Sequence, residues 1–158
     1  MIELMVALAV AAVLLGMALP AFNNLIEQRT MAARVNEFVT AVNLARSEAV
    51  KRGGPVSIQV DGAVAADNEW GNGYCVTVAA GDCNTPLRVF GTTGGATMNA
   101  TGGLNNQGTL TYNGRGLLVL GAQGTIELCS TNAGIDPGRE IAINMIGRAA
   151  SVELDCNP

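Results

Sequence analysis

Four cysteines and one isolated carboxylate are the side chains here with most chemistry to offer. Cys75, Cys83, Cys129 and Cys156 are the only thiols, and the chain has no histidine. Without imidazole it lacks the commonest general base and metal ligand, and with them the Ser-His and Cys-His nucleophile pairs. None of the cysteines forms a CxxC pair, whereas a four-cysteine zinc site normally has two such close pairs. Disulfides in an oxidising compartment are the better reading. Three pairings are open. Cys75 with Cys83 and Cys129 with Cys156 is favoured because each bond closes a local loop, contributing about 2.6 and about 3.6 kcal/mol on a chain-entropy model. Four buried free thiols are the alternative.

No catalytic set accompanies them. Gly91-Thr92-Thr93-Gly94-Gly95 and Gly121-Ala122-Gln123-Gly124 lack the strand-to-helix setting of a nucleotide loop, and no Gly-Lys-Ser/Thr occurs. Asp61, Asp67 and Glu69 match no calcium loop and read as a solvated turn. Trp70 reads as a core or loop anchor. No enzyme activity, cofactor or metal is expected.

The isolated carboxylate is Glu3, which directly precedes the uncharged run Leu4 to Phe22. That run is apolar on every side and long enough to cross a hydrocarbon core of about 30 Å as a helix. A cleavable signal peptide fits poorly, because the chain opens Met-Ile-Glu and the helical pattern continues. The expectation is a transmembrane half over 1–22, interrupted by Gly16 and Pro20, where the helix can bend or unwind. A carboxylate deep in lipid costs about 2.5–3.5 kcal/mol. Glu3 therefore either lies at the interface and complements the helix dipole or awaits a cation from a neighbour.

An amphipathic half over 23–52 follows. Met31, Val35, Phe38, Val42, Ala45 and Ala49 recur at spacings of four and three, one stripe on a helix. Gly53-Gly54-Pro55 then stops it. Residues 53–158 hold nine acidic and four basic side chains, so this head is not a generic binder of phosphate backbones. Its period turns twofold. Strands are predicted at Val56–Val60, Tyr74–Ala79, Leu87–Phe90, Thr109–Tyr112, Leu117–Leu120, Thr125–Ser130, Glu140–Asn144 and Ala150–Leu154, with Ser57 to Val60 alternating as a half-buried strand should. Asn113-Gly114 signals a hairpin turn. Gly91 to Gly108 reads as a long exposed loop. The fold class is α+β, a long helix on an antiparallel β-rich head.

IELMVALAVAAVLLGMALPAF, from Ile2, resembles the N-terminal segment of type IV pilins and type II secretion pseudopilins. Ala41 to Ile58, Trp70 to Tyr74, Leu110 to Gly116 and Arg139 to Arg148 are similar to the minor pseudopilin branch that contains GspH, FimT and FimU. The resemblance implies a pilin-like fold whose head is an antiparallel sheet or small β-sandwich. It implies that Glu3 is the glutamate used in subunit recruitment and register, and that Pro20 is the kinking proline. It implies partners: other pilin subunits through the N-terminal helix, the inner membrane and a prepilin peptidase. The implied function is structural, the assembly or priming of a type IV pilus or secretion pseudopilus. The implied location is the bacterial inner membrane, single-pass with a periplasmic head, and the periplasm or exterior once assembled. Some FimT-type relatives instead bind DNA in natural transformation, through a Gly-Arg-x-Arg motif. The matching stretch is Gly147-Arg148-Ala149-Ala150, without the second arginine, and Arg115, Arg139 and Arg148 are the candidate DNA contacts.

Overall fold

A fifty-one-residue run from Ile2 to Arg52 forms one helix, α1, in the computed structural model of the chain. The structure describes residues 2–16, 22–78, 83–119, 123–132 and 138–156, with the backbone alone of 17–21 and 120. Glu3 lies in the first turn of α1 and Lys51 and Arg52 in the last, so charge complements the macrodipole at both ends. Gly53 takes φ 64° and closes the helix. Its N–H donates to Val50 O at 3.2 Å and that of Gly54 to Ala49 O at 3.3 Å, the Schellman pattern that satisfies the last carbonyls.

Among the described residues nine strands follow in two antiparallel sheets. The first has the order β3-β2-β1-β5-β6, from β1 (Val56–Val60), β2 (Tyr74–Thr77), β3 (Arg88–Phe90), β5 (Thr109–Tyr112) and β6 (Leu118–Leu120). The second has the order β4-β7-β8-β9, from β4 (Ala96–Gly102), β7 (Gly124–Ser130), β8 (Gly138–Ile143) and β9 (Ala149–Leu154). Helix α1 touches β1, β2 and β5 of one sheet and β7, β8 and β9 of the other, so it bridges both. Its stripe joins Ile58, Leu110, Ile126, Leu128 and Ile141 in a single core. The expected α+β arrangement holds.

Other expectations need correction. Among the described residues no helix is long and apolar enough to cross a membrane. This overturns the transmembrane first half and, with it, the single-pass placement in the inner membrane with a periplasmic head. After Phe22 the helix turns polar at Asn23 and Asn24, which bounds the apolar part, and a span needs about 20 apolar residues. The side chain of Pro20 lies outside the described residues.

The segment Gly91 to Gly108 is not one long loop, because β4 occupies its middle. Met98 and Ala100 point into the core while Thr97, Asn99 and Thr101 face away, and β4 pairs with β7 from Ala96↔Ser130 to Gly102↔Gly124. The alternation is hard to see in the sequence because its inward residues include a small alanine and its outward ones are turn formers. Strand β1 also differs from the half-buried expectation, since all five residues are buried. Ser57 Oγ and Thr111 Oγ1 are hydrogen-bonded at 2.8 Å, and Cys83 Sγ lies 3.7 Å from Gln59 Nε2, so the second face is shielded too.

Candidate assembly surfaces

Along α1 the same helix does two things. From Met31 onward one face is sealed: Met31, Val35, Phe38, Ala41, Val42, Ala45 and Ala49 are all buried. Phe38 is its anchor. Its ring meets Trp70 edge-on at 5.4 Å and Tyr74 at 5.2 Å, and Tyr74 stacks on Phe90 at 5.0 Å. Burial drives the Tyr74 hydroxyl well above the usual phenol value, with the Glu37 charge adding to it. Before Met31 the described apolar side chains of the helix are exposed. Ile2, Leu4, Met5, Val6, Leu8, Val10, Val13, Leu14, Phe22, Leu25 and Ile26 are exposed large apolar residues. Isolated exposed leucines mean little, but a continuous apolar rod marks an interaction surface.

The boundary between the two regions is a polar clasp. Glu27 Oε1 accepts from Ser130 Oγ at the end of β7, and both carboxylate oxygens accept from Asn132 Nδ2 at 3.1 Å. Ser130 Oγ in turn accepts from Asn132 N at 3.0 Å. The clasp ties the second sheet to the helix at the point where the helix leaves the head. Sequence reasoning misses Glu27, because its partners are more than a hundred positions away and the residue looks like any solvated helical acid.

Two covalent ties brace this frame. Cys75 is bonded to Cys83, and Cys129 to Cys156, which fastens the C-terminal segment to β7 beside Ser130. A third brace corrects the solvated-turn expectation for Glu69, which is 1% exposed. Its Oε2 accepts from Ala100 N at 2.9 Å and its Oε1 from Asn106 N at 3.2 Å. Asn68 Oδ1 accepts from Met98 N at 2.8 Å and Trp70 N donates to Met98 O at 3.2 Å, so the segment before β2 caps the open edge of β4. An edge covered in this way cannot template pairing with another chain.

The β8–β9 turn closes over β5. Tyr112 OH donates to Gly147 O at 3.2 Å. Burial pushes the Tyr112 hydroxyl up to about 12, only partly offset by Arg46, so it keeps its proton and its role as donor. Gly147 has φ 73°, and a Cβ there would lie 2.3 Å from Tyr112 Cε1. Gly147→Ala is therefore expected to cost about 2–3 kcal/mol through backbone strain and a clash. Denaturant unfolding of the full chain measures it, and a loss below about 0.5 kcal/mol would contradict the assignment.

The three arginines considered for DNA stand on β8, on the β8–β9 turn and on the β5–β6 turn. Arg139 pairs with Glu153 at 3.3 Å. Arg148 lies beyond the other end of β8, and Arg115 stands on the β5–β6 turn beside the end of α1. Among the described residues no group of His, Cys, Asp and Glu is placed to hold a metal ion.

A helix seated by one stripe across two small sheets, and bare toward its N-terminus, is the arrangement the pilin resemblance implied. The family model described as Type II transport protein GspH matches residues 34–147. The chain belongs to the GspH family. This GspH-family protein is similar in structure to the type IV minor pilin FimU of Pseudomonas aeruginosa strain PAO1. In one crystal form the TM-score is 0.63 at 27% identity, covering 78% of this chain and 89% of FimU. In another it is 0.61 at 28% identity, covering 77% and 91%. The minor pseudopilin EpsH of the Vibrio cholerae type 2 secretion system shares the fold, with a TM-score of 0.51 at 13% identity over 80% of this chain and 98% of that one. No curated protein matches the chain. The GspH-family head is structural and not enzymatic.

Proposed function

We infer that this GspH-family chain is a minor pilin-like subunit that enters a pilus or pseudopilus by packing its N-terminal helix among those of neighbouring subunits, and that it supports or primes assembly. The exposed apolar side chains between Ile2 and Ile26 carry this reading: among the described residues the head buries none of them, and a bundle of like helices would. At about 25 cal/mol per Å² of apolar area removed from water, such packing is the largest association term the chain has to offer. Glu3 is the exception on this surface. Inside a bundle its charge needs a cation, and a neighbour's terminal amine would answer it and select the axial register. Gly16 lies mid-rod, where a Cβ would meet nothing within 4 Å, so glycine there answers no packing need of this chain and leaves a point of helix weakness. Arg34–Glu37 and Arg52–Glu48 pairs, at 2.8 and 2.9 Å, stiffen the rod further along.

The test places a charge on the rod without touching the head. Val10→Glu and Glu3→Ala are expected to leave the head folded and both disulfides formed. Incorporation into filaments sheared from cells should fall about tenfold or more for Val10→Glu, because an unpaired charge would be buried. A clear loss is expected for Glu3→Ala as well. Incorporation of both variants at the unmodified level would reject the reading.

A further inference from the structure

We propose that the Cys129–Cys156 bond is an oxidation-controlled latch: the Glu27 clasp closes firmly on the second sheet only once these two thiols are joined. Strand β7 carries both devices at its last two residues. Ile126 and Leu128 face the core, and Ser130, on the same side, donates from Oγ to Glu27 of α1. Asn132 Nδ2, just beyond the strand, donates to both Glu27 oxygens at 3.1 Å. Cys129 lies between Leu128 and Ser130 and so projects from the opposite face.

Without the bond, the end of β7 is supported on one side only. Toward β4, pairing reaches Ala96↔Ser130, and Thr131 N donates to Gly95 O at 3.0 Å. Toward β8, pairing stops at Leu128↔Arg139. The disulfide takes over from there. It ties Cys129 to Cys156, just past the end of β9 at Leu154, and so straps β9 back across β8 to β7. It crosses the first residue of β8, Gly138, where a Cβ would lie 2.1 Å from Cys156 Sγ and 3.4 Å from Cys129 Sγ. Glycine at that position leaves the space the bond fills. The other disulfide is placed differently. Cys75 is buried in β2 between Gln59 of β1 and Val89 of β3, in the sheet that does not carry the clasp.

Cys129 and Cys156 are both half-buried, so an external disulfide can reach them. The latch closes by thiol–disulfide exchange with such a disulfide, carried by a protein or a small molecule. The thiolate of one cysteine attacks it, its S–S bond breaks, and the leaving sulfur takes up a proton. The thiolate of the second cysteine then displaces the mixed disulfide. Cys129 and Cys156 lose two electrons and two protons, and the external disulfide gains both as two thiols. The stripe from Met31 onward seats the helix in either state. The latch governs the turn of α1 before it, around Glu27, which is loose in a reduced chain and fixed in an oxidised one.

Amide hydrogen exchange of the full chain, resolved by residue, tests this. The background is Cys75→Ser with Cys83→Ser, which leaves the Cys129–Cys156 bond alone and should keep the protection of the unmodified chain at Thr131 and Asn132. Dithiothreitol then opens the bond, and alkylation with mass spectrometry confirms it. The Asn132 amide, which donates to Ser130 Oγ at 3.0 Å, should exchange about tenfold faster, while the Ala100 amide held by Glu69 keeps its protection. Gly138→Ala keeps the thiols, obstructs the bond, and should give the same pattern in the presence of glutathione disulfide. In Glu27→Ala the Asn132 amide should be fast already, and reduction should add less than about twofold. Unchanged Asn132 exchange after confirmed reduction would overturn the proposal. So would equal loss of protection at Ala100, since the bond would then hold the whole head and not the clasp.

Discussion

Phe38→Ala is expected to lower the stability of the head by about 3–5 kcal/mol, the range for deleting a fully buried aromatic side chain. The ring is 0% exposed and meets both Trp70 and Tyr74 edge-on. Truncation would remove the apolar area, open a cavity between helix and sheet, and lose two edge-to-face contacts worth about 0.5–1.5 kcal/mol each. Domains of this size are stable by only about 5–15 kcal/mol, so the loss is a large fraction of the total. The functional consequence is a head no longer locked to its rod, with the Glu27 clasp unable to hold it alone. Urea unfolding of the full chain, followed by tryptophan fluorescence from Trp70, gives the free energy. Phe22→Ala is the control, because Phe22 is 61% exposed on the bare rod and its loss should leave stability unchanged within about 0.5 kcal/mol. Equal effects of the two substitutions would mean that the seat of the head lies elsewhere.

Glu69→Gln should cost about 2–4 kcal/mol despite preserving shape. The carboxylate offers one oxygen to Ala100 N and the other to Asn106 N, both in a buried setting. A carboxamide has a single oxygen, so one of the two backbone N–H groups must face an NH₂ donor. The segment that caps the open edge of β4 would then be poorly held, and the uncovered edge becomes a surface for unwanted pairing. Hydrogen exchange at Ala100 and Asn106 should rise sharply in the variant, and aggregation on warming should begin earlier. Unchanged protection at both amides would show that Glu69 does not brace the edge.

These two residues also mark how far the sequence could be read. Phe38 was legible, because a helical stripe announces itself through spacing alone. Glu69 was not, because its partners are Ala100 and Asn106, more than thirty positions away, and an acid in a Gly- and Asp-rich stretch looks like a solvated turn. Strand β4 was hidden for a related reason: Ala96, Thr97, Asn99 and Gly102 are individually turn-prone or weak strand formers, and only pairing with β7 makes them a strand. The apolar N-terminal run was legible as a surface that must be covered. The expectation of a membrane span does not hold, since no helix among the described residues is long and apolar enough to cross a membrane.

What the sequence alone determined is the one-dimensional pattern: a helix with a single sealing stripe, a stop at Gly53-Gly54-Pro55, and a β-rich acidic head without histidine. Periodicity and composition are local properties, and they survive without knowledge of any partner. What only the tertiary structure decided is which distant groups meet. The Glu27 clasp on Ser130 and Asn132, the Glu69 brace and the Gly147 approach to Tyr112 all depend on how two sheets close around one helix. A buried polar group takes its meaning from the donor or acceptor opposite it, and that neighbour is set by packing and register, not by position along the chain.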